Sequence, residues 1–282
     1  HVLDMHGLET VQHYMTAMRD QAGAARLYRA GYAATAPGGH GTQYGFDVPT
    51  LEKPEDATQW VAARVTAGVD HIKIIVEPWK TTISHEIAKA VIDEAHAQDK
   101  VAVVHISKEA DAYQVLSNGA DGLVHIWTDI DMPQEHLDDL VKNQDFFVIP
   151  TILTNVLVQP LFYGKTEAET AEVEAKLLKE VKRLYDAGIP ILAGTDPPNA
   201  NINMGTDLYK EMQFFSKAGI PAVDVLKSAT SLPATKFDIG NTGFIKAGYQ
   251  ADLLLLSRSP LESMDDISSI EMIWKSGVVV EK

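Results

Sequence analysis

The 282-residue chain is 45% hydrophobic and carries 24 Lys plus Arg against 39 Asp plus Glu, a net charge of −15. A surface of that sign repels nucleic acid and anionic membranes, no Lys/Arg-rich run offsets it, and no apolar run approaches the roughly 18 residues of a membrane span. The sequence has no cysteine, which excludes disulfides, thiolate metal sites and a cysteine nucleophile.

In chain order, short apolar runs alternate with longer amphipathic ones. The expected strands are "HVLDM", "ARLYRAGYA", "HIKIIV", "VAVVHI", "DGLVHI", "FFVIPTIL" and "IPILAG". The clearest helical patterns are "PEDATQWVAARVTAG", "SHEIAKAVIDEAHAQ", "KEADAYQVLSNG", "QEHLDDLVKN" and "EAETAEVEAKLLKEVKRLYDAG". Glycines at 119 and 188 suit helix C-termini. Such alternation predicts a parallel sheet. Past Gly205 come two helical runs, "TDLYKEMQFFSKAG" and "AVDVLKSAT", and then short strands in "TGFIKAG", "ADLLLLS" and "IEMIWKSGVVVEK". "KSG" at 275–277 reads as a hairpin turn. We therefore expect an α/β body over 1–238 and a small β portion over 239–282.

Seven strands in the body are one short of a closed eight-stranded barrel, which commonly takes about 250 residues. Either the count is wrong, the sheet is open and doubly wound, or one strand lies outside this sequence. The thin β tail is in the same position. Both deficits point to natural sequence before His1.

In a parallel barrel, reactive groups gather at or near strand C-termini. Here Lys73 interrupts "HIKIIV", His105 ends "VAVVH", His125 ends "GLVH" and Asp196 follows "ILAGT". Two imidazoles and a carboxylate suit zinc or a similar divalent ion. An ammonium does not, because it has no lone pair. Burial favours the neutral amine, and a neutral lysine can take up carbon dioxide to form a carbamate, an anion able to bridge two cations. The bland readings are a lysine paired with Glu77 or Asp196, hydrogen-bonded core histidines, and an aspartate helix cap. The joint pattern on four strands favours a metal centre. His40, in the glycine-flanked "PGGHGT", is the best candidate for a substrate contact, with Tyr32, Thr151 and Thr154 as further candidates.

At these residues the chain resembles the amidohydrolase superfamily, and within it the prolidase-like and imidazolonepropionase-like subgroup. "ARLYRAGYAATAPGGHGT", "GVDHIKIIV", "VAVVH", "GADGLVH", "AGIPILAGTD", "ATSLPA" and "GFIKAGYQADLLLL" carry the likeness over nearly the whole chain. The resemblance implies a (β/α)8 TIM barrel with its first strand missing from this sequence, and a small C-terminal portion of a composite β-sandwich. It also implies one or two divalent ions, most simply zinc. Lys73 becomes a bridging carbamate, and His105 and His125 become ligands of the second metal. Asp196 becomes a ligand of the first metal and the proton shuttle for the attacking water. The family's His-x-His pair on its first strand is absent, since His1 and His6 lack that spacing. A family His-Gly after the last strand is replaced by "NMG" at 203–205.

The expected activity is hydrolysis of an amide C–N bond in a small substrate such as a dipeptide, N-acyl amino acid or cyclic amide. A lactonase or phosphotriesterase-like activity and a non-catalytic small-molecule-binding barrel are the alternatives. "GxSxG" is absent, and "PGGHGTQYG" lacks the glycine spacing of a dinucleotide site. The expected partner is a small-molecule substrate, without nucleic acid or membrane, and a homo-oligomer is compatible with the sequence. Compartment is not encoded in any visible signal, with the cytoplasm slightly favoured.

Overall fold

A computed structural model describes residues 1–280. The chain divides into two compact units, His1–Phe146 and Phe147–Lys282.

In the first unit, β1 (Val2–Asp4) pairs in parallel with β2 (Leu27–Arg29), with α1 (Glu9–Ala17) between them. Next come α2 (Ala57–Thr66), β3 (Ile72–Ile75), α3 (His85–Ala97) and β4 (Ala102–His105). The unit closes with α4 (Glu109–Ser117), β5 (Gly122–Val124) and α5 (Gln134–Asn143). β3, β4 and β5 pair in parallel, and Ala34 bridges to Ile74 beside them. Strand and helix alternate because each strand is an apolar run too short for a helix, while each helix shows one apolar stripe. α3 illustrates the stripe, burying Ile87, Ala88, Val91, Ile92 and Ala95. Its start is fixed by Ser84, whose hydroxyl accepts from the Ile87 N–H, a standard N-cap. Asp70 aligns β2 with β3: its carboxylate accepts from the Arg29 N–H at 2.8 Å, and its own N–H donates to the Arg29 carbonyl.

The second unit begins with β6 (Phe147–Ile149), followed by α6 (Ile152–Tyr163) and α7 (Glu167–Asp186). Three further helices follow: α8 (Leu208–Lys217), α9 (Ala222–Ser228) and α10 (Ser231–Lys236). β7 (Leu253–Leu256), β8 (Ile270–Lys275) and β9 (Val278–Val279) form an antiparallel sheet. The 275–277 turn is a hairpin, with Ser276 and Gly277 both at positive φ, 51° and 78°, as a two-residue I′ turn requires. The end of "GVVVEK", at 281–282, lies outside the described residues.

Three expected strands need correction. "TGFIKAG", at 242–248, makes bends and a turn but no strand, its glycines at 243 and 248 both taking positive φ. "FFVIPTIL" is strand only to Ile149. Pro150 and a left-handed Thr151 (φ 47°) break it, and Ile152 opens α6. "IPILAG" makes only a bridge, Ile191 to Val148. There Gly194 meets Ile149 so closely that an added Cβ would lie 2.5 Å from the Ile149 Cγ2, so only glycine fits. Among the described residues no helix is long and apolar enough to cross a membrane.

Candidate metal and active site

β3 buries all four of its residues, Lys73 included at 3% exposure. Register places Lys73 opposite Val103, and Ile75 opposite His105. Lys73, Ile75, Val103 and His105 therefore share one face of the sheet. Val124 pairs with His105, so strict alternation would send His125 to the other face. It does not go there. His125 adopts φ 72°, which breaks the pleat, and its ring meets that of His105 with centroids 4.5 Å apart, edge to face. A left-handed non-glycine residue is held only when its surroundings over-determine it, and such positions cluster at functional sites.

The site is rich in imidazole. The His40 ring lies 4.9 Å from that of His105. Burial, reinforced by the Lys73 charge, pushes His125 down to about 3. Burial, then the charges of His125, Lys73 and His40, holds His105 well below the usual histidine range. Both are therefore neutral at physiological pH, the form in which a ring nitrogen can ligate a cation.

Glu77 orients His105. The His105 Nε2–H donates to Glu77 Oε2 at 3.0 Å, and the Ser107 hydroxyl donates to Glu77 Oε1 at 2.8 Å. With Nε2 so engaged, Nδ1 is the lone-pair nitrogen of His105. A carboxylate behind a ligating histidine is the usual support for such a ring. Burial raises the Glu77 carboxyl above the ordinary range, and the Ser107 hydroxyl opposes that shift. Glu77 is one of the two acids, with Asp196, that the bland reading offers as a partner for Lys73. Its carboxylate accepts from His105, from Ser107 and from the Trp79 N–H.

His6 lacks the family spacing yet serves the same region. The Ala33 N–H donates to its Nδ1, so the proton is on Nε2, which donates to the Gly41 carbonyl at 3.0 Å. This pins the loop carrying His40 to the strand ends. Gly39 lets that loop turn tightly, since a Cβ there would lie 2.6 Å from the Thr35 hydroxyl and 2.7 Å from the Thr81 carbonyl oxygen. Gln43 sets the His40 tautomer. Its Oε1 accepts from the Gly41 N–H, so its Nε2 donates to His40 Nδ1, and the His40 proton resides on Nε2. Tyr32 packs against Phe46, centroids 6.0 Å apart, beneath the Arg64 guanidinium.

The remaining predicted residues lie in the second unit. Asp196 has φ 54°, and its carboxylate accepts from the Asn199 side chain at 2.7 Å. The Thr154 hydroxyl donates to the Thr195 carbonyl, tying the start of α6 to the residue before Asp196. Thr151 is buried and left-handed. Glu211 joins them from α8: its two oxygens accept from the first N–H groups of α6, Ile152 at 2.9 Å and Leu153 at 2.8 Å. Nothing local in the sequence marks a pairing across 59 positions.

Thus Lys73, His40, His105 and His125 gather in the first unit, while Thr151, Thr154 and Asp196 belong to the second. Among the described residues no three His, Asp or Glu side chains make a metal site by themselves. Two neutral imidazoles above a buried lysine fit a cation once that lysine supplies oxygen.

The amidohydrolase family model matches residues 2–280. The ochratoxinase of Aspergillus niger is 23% identical over 247 residues, 79% of this chain and 48% of that protein, so the chain spans about half the length of this relative. Among solved structures, a Xaa-Pro dipeptidase with bound methionine superposes with a TM-score of 0.81 at 22% identity, covering 99% of this chain and 75% of that one. A prolidase-like protein of Bifidobacterium longum gives 0.78 at 22% identity, covering 99% and 73%. Its motifs, its strand order and these likenesses agree: the chain belongs to the amidohydrolase family, whose α/β barrel is its fold class.

Proposed function

We propose that this chain forms the body of a metal-dependent hydrolase that cleaves an amide C–N bond in a small substrate, such as a dipeptide, an N-acyl amino acid or a cyclic amide. One observation carries the reading: Lys73, buried in an apolar strand, shares a sheet face with His105, and His125 leaves the pleat to join them. An ammonium in that position faces imidazoles that are themselves potential cations. A carbamate would relieve this and complete a donor set of two nitrogens and oxygen, which suits zinc. His105 would ligate through Nδ1, with Glu77 holding the ring.

A divalent ion in this site would polarise the scissile carbonyl and acidify the attacking water. The chain's own groups then do the rest. Asp196 enters on its motif alone: the family likeness would make it the proton shuttle, a base for the water that becomes an acid for the leaving nitrogen. His40 offers an N–H toward substrate oxygen. Thr154 acts through its bond to Thr195, holding the backbone that carries Asp196. A dipeptidase among the similar structures supports a C–N substrate.

The test is a panel of amide, lactone and phosphotriester substrates offered to the zinc-loaded protein. Turnover of amides above the other classes supports the reading. Preference for lactones or phosphotriesters assigns the centre to those reactions, and binding without turnover of any class makes it a binding module.

A further inference from the structure

Two aromatic side chains stand in solvent beside the candidate site. Trp79, just past β3, is 62% exposed, and Tyr44, in the loop after His40, is 49% exposed. Isolated exposed aromatics are ordinary. These two are not isolated, because both meet one imidazole: the His40 ring lies 5.4 Å from the ring of Trp79 and 6.4 Å from that of Tyr44. His40 in turn contacts His105. Tyr44 stacks at 23° on Phe46, and both rings contact His6. A continuous aromatic rim therefore runs from solvent to the imidazole cluster. The Lys80 ammonium lies 5.1 Å from the centre of the Trp79 ring, setting positive charge beside the same surface in a chain of strongly negative net charge.

We propose that Trp79 and Tyr44 form a stacking subsite for an aromatic ring of the substrate, with Lys80 favouring a carboxylate next to that ring. This deepens the amidohydrolase reading by naming the substrate class as aryl-bearing, anionic amides. Flat rings gain from offset and edge-to-face packing beyond simple burial of apolar area, and concave sites combine such walls with a few convergent polar groups. Here the polar group is His40, held in one tautomer by Gln43. Stacking asks for a planar group. A saturated ring of equal bulk satisfies the hydrophobic requirement but not the geometric one.

Equilibrium binding of 3-phenylpropanoate and 3-cyclohexylpropanoate to the protein, measured by calorimetry, separates these. The phenyl probe is expected to bind roughly fivefold more tightly, within the range that aromatic pairing supplies. Trp79→Ala should bring the two affinities to parity, and Trp79→Phe should keep most of the preference. Equal affinities in the unmodified protein, or a preference that survives Trp79→Ala, would overturn the subsite. Hydrolysis of N-acetyl-L-phenylalanine by the zinc-loaded protein is assayed alongside. Retained ring selectivity without hydrolysis of any amide would sink the amide reading and leave the aromatic subsite standing.

Discussion

Two four-residue strands in this protein invert the usual rule. β3, "IKII", buries a lysine completely, whereas β7, "LLLL", leaves Leu254 and Leu255 at 52% and 44% exposure. Hydrophobicity therefore does not by itself locate the interior. In β3 the apolar neighbours are covered on both faces, and Lys73 is held where burial is costly. In β7 the four leucines are backed on one edge by β8, Leu253 and Leu256 are half-buried, and only Leu254 and Leu255 stand in water. The first arrangement calls for a chemical role at Lys73, which the proposed carbamate supplies. The second imposes little on the individual residue.

That contrast can be broken in several ways. The largest effect belongs to Lys73→Ala. It should lower bound zinc and amide turnover by at least about a hundredfold, since it would delete the proposed ligand rather than a supporting group, and added short-chain carboxylic acids should restore part of both. Metal analysis and turnover with and without propionate check this. Glu77→Ala should follow, weakening zinc binding by about tenfold to a hundredfold through loss of the hydrogen bond that orients His105. Competition with a metallochromic chelator reads it directly.

Glu211 sharpens the comparison, being a second buried ionisable group with a purely structural account. Burial pushes its carboxyl up to about 8 against the pull of the Leu153 and Ile152 N–H groups. A carboxyl raised in the folded state binds more protons there than when unfolded. Its contribution is therefore fully present below the unfolded value near 4.5 and is lost as pH rises through about 8. Thermal melts of the protein should fall between those limits by about 4 °C or more. Glu211→Gln should flatten that slope, at a cost of about 1–3 kcal/mol at acid pH that shrinks as pH rises, because its amide N–H₂ opposes a backbone donor. The smallest effect belongs to β7: Leu255→Lys should change stability by no more than about 0.5 kcal/mol, measured by urea unfolding.

Much of the first unit's site is legible in the sequence. Lys73, His105 and His125 stand out because each is a polar residue in or ending an apolar run, and the glycines around His40 announce a close-packed loop. The rest depends on relations that periodicity does not carry. Alternation alone places His125 on the wrong face, since only its left-handed backbone brings it to His105. Glu77 sits four positions after Lys73 and invites a lysine partner, yet it also accepts from side chains at the distant positions 105 and 107. His6 fails a motif test yet performs a structural task through Ala33 and Gly41. The α6 start was hidden inside "FFVIPTIL", where apolar character continues across a change from strand to helix. Pro150 was the available sign, because proline cannot donate to a sheet ladder.

The central claim is that Lys73 is an oxygen donor to a cation shared with His105 and His125. Its most direct test is carbon NMR of the zinc-loaded protein supplied with isotopically labelled bicarbonate, with Lys73→Ala as control. The account predicts one carbamate resonance that depends on Lys73 and is lost when zinc is chelated. A zinc-loaded, active protein whose Lys73 remains a plain amine would contradict it.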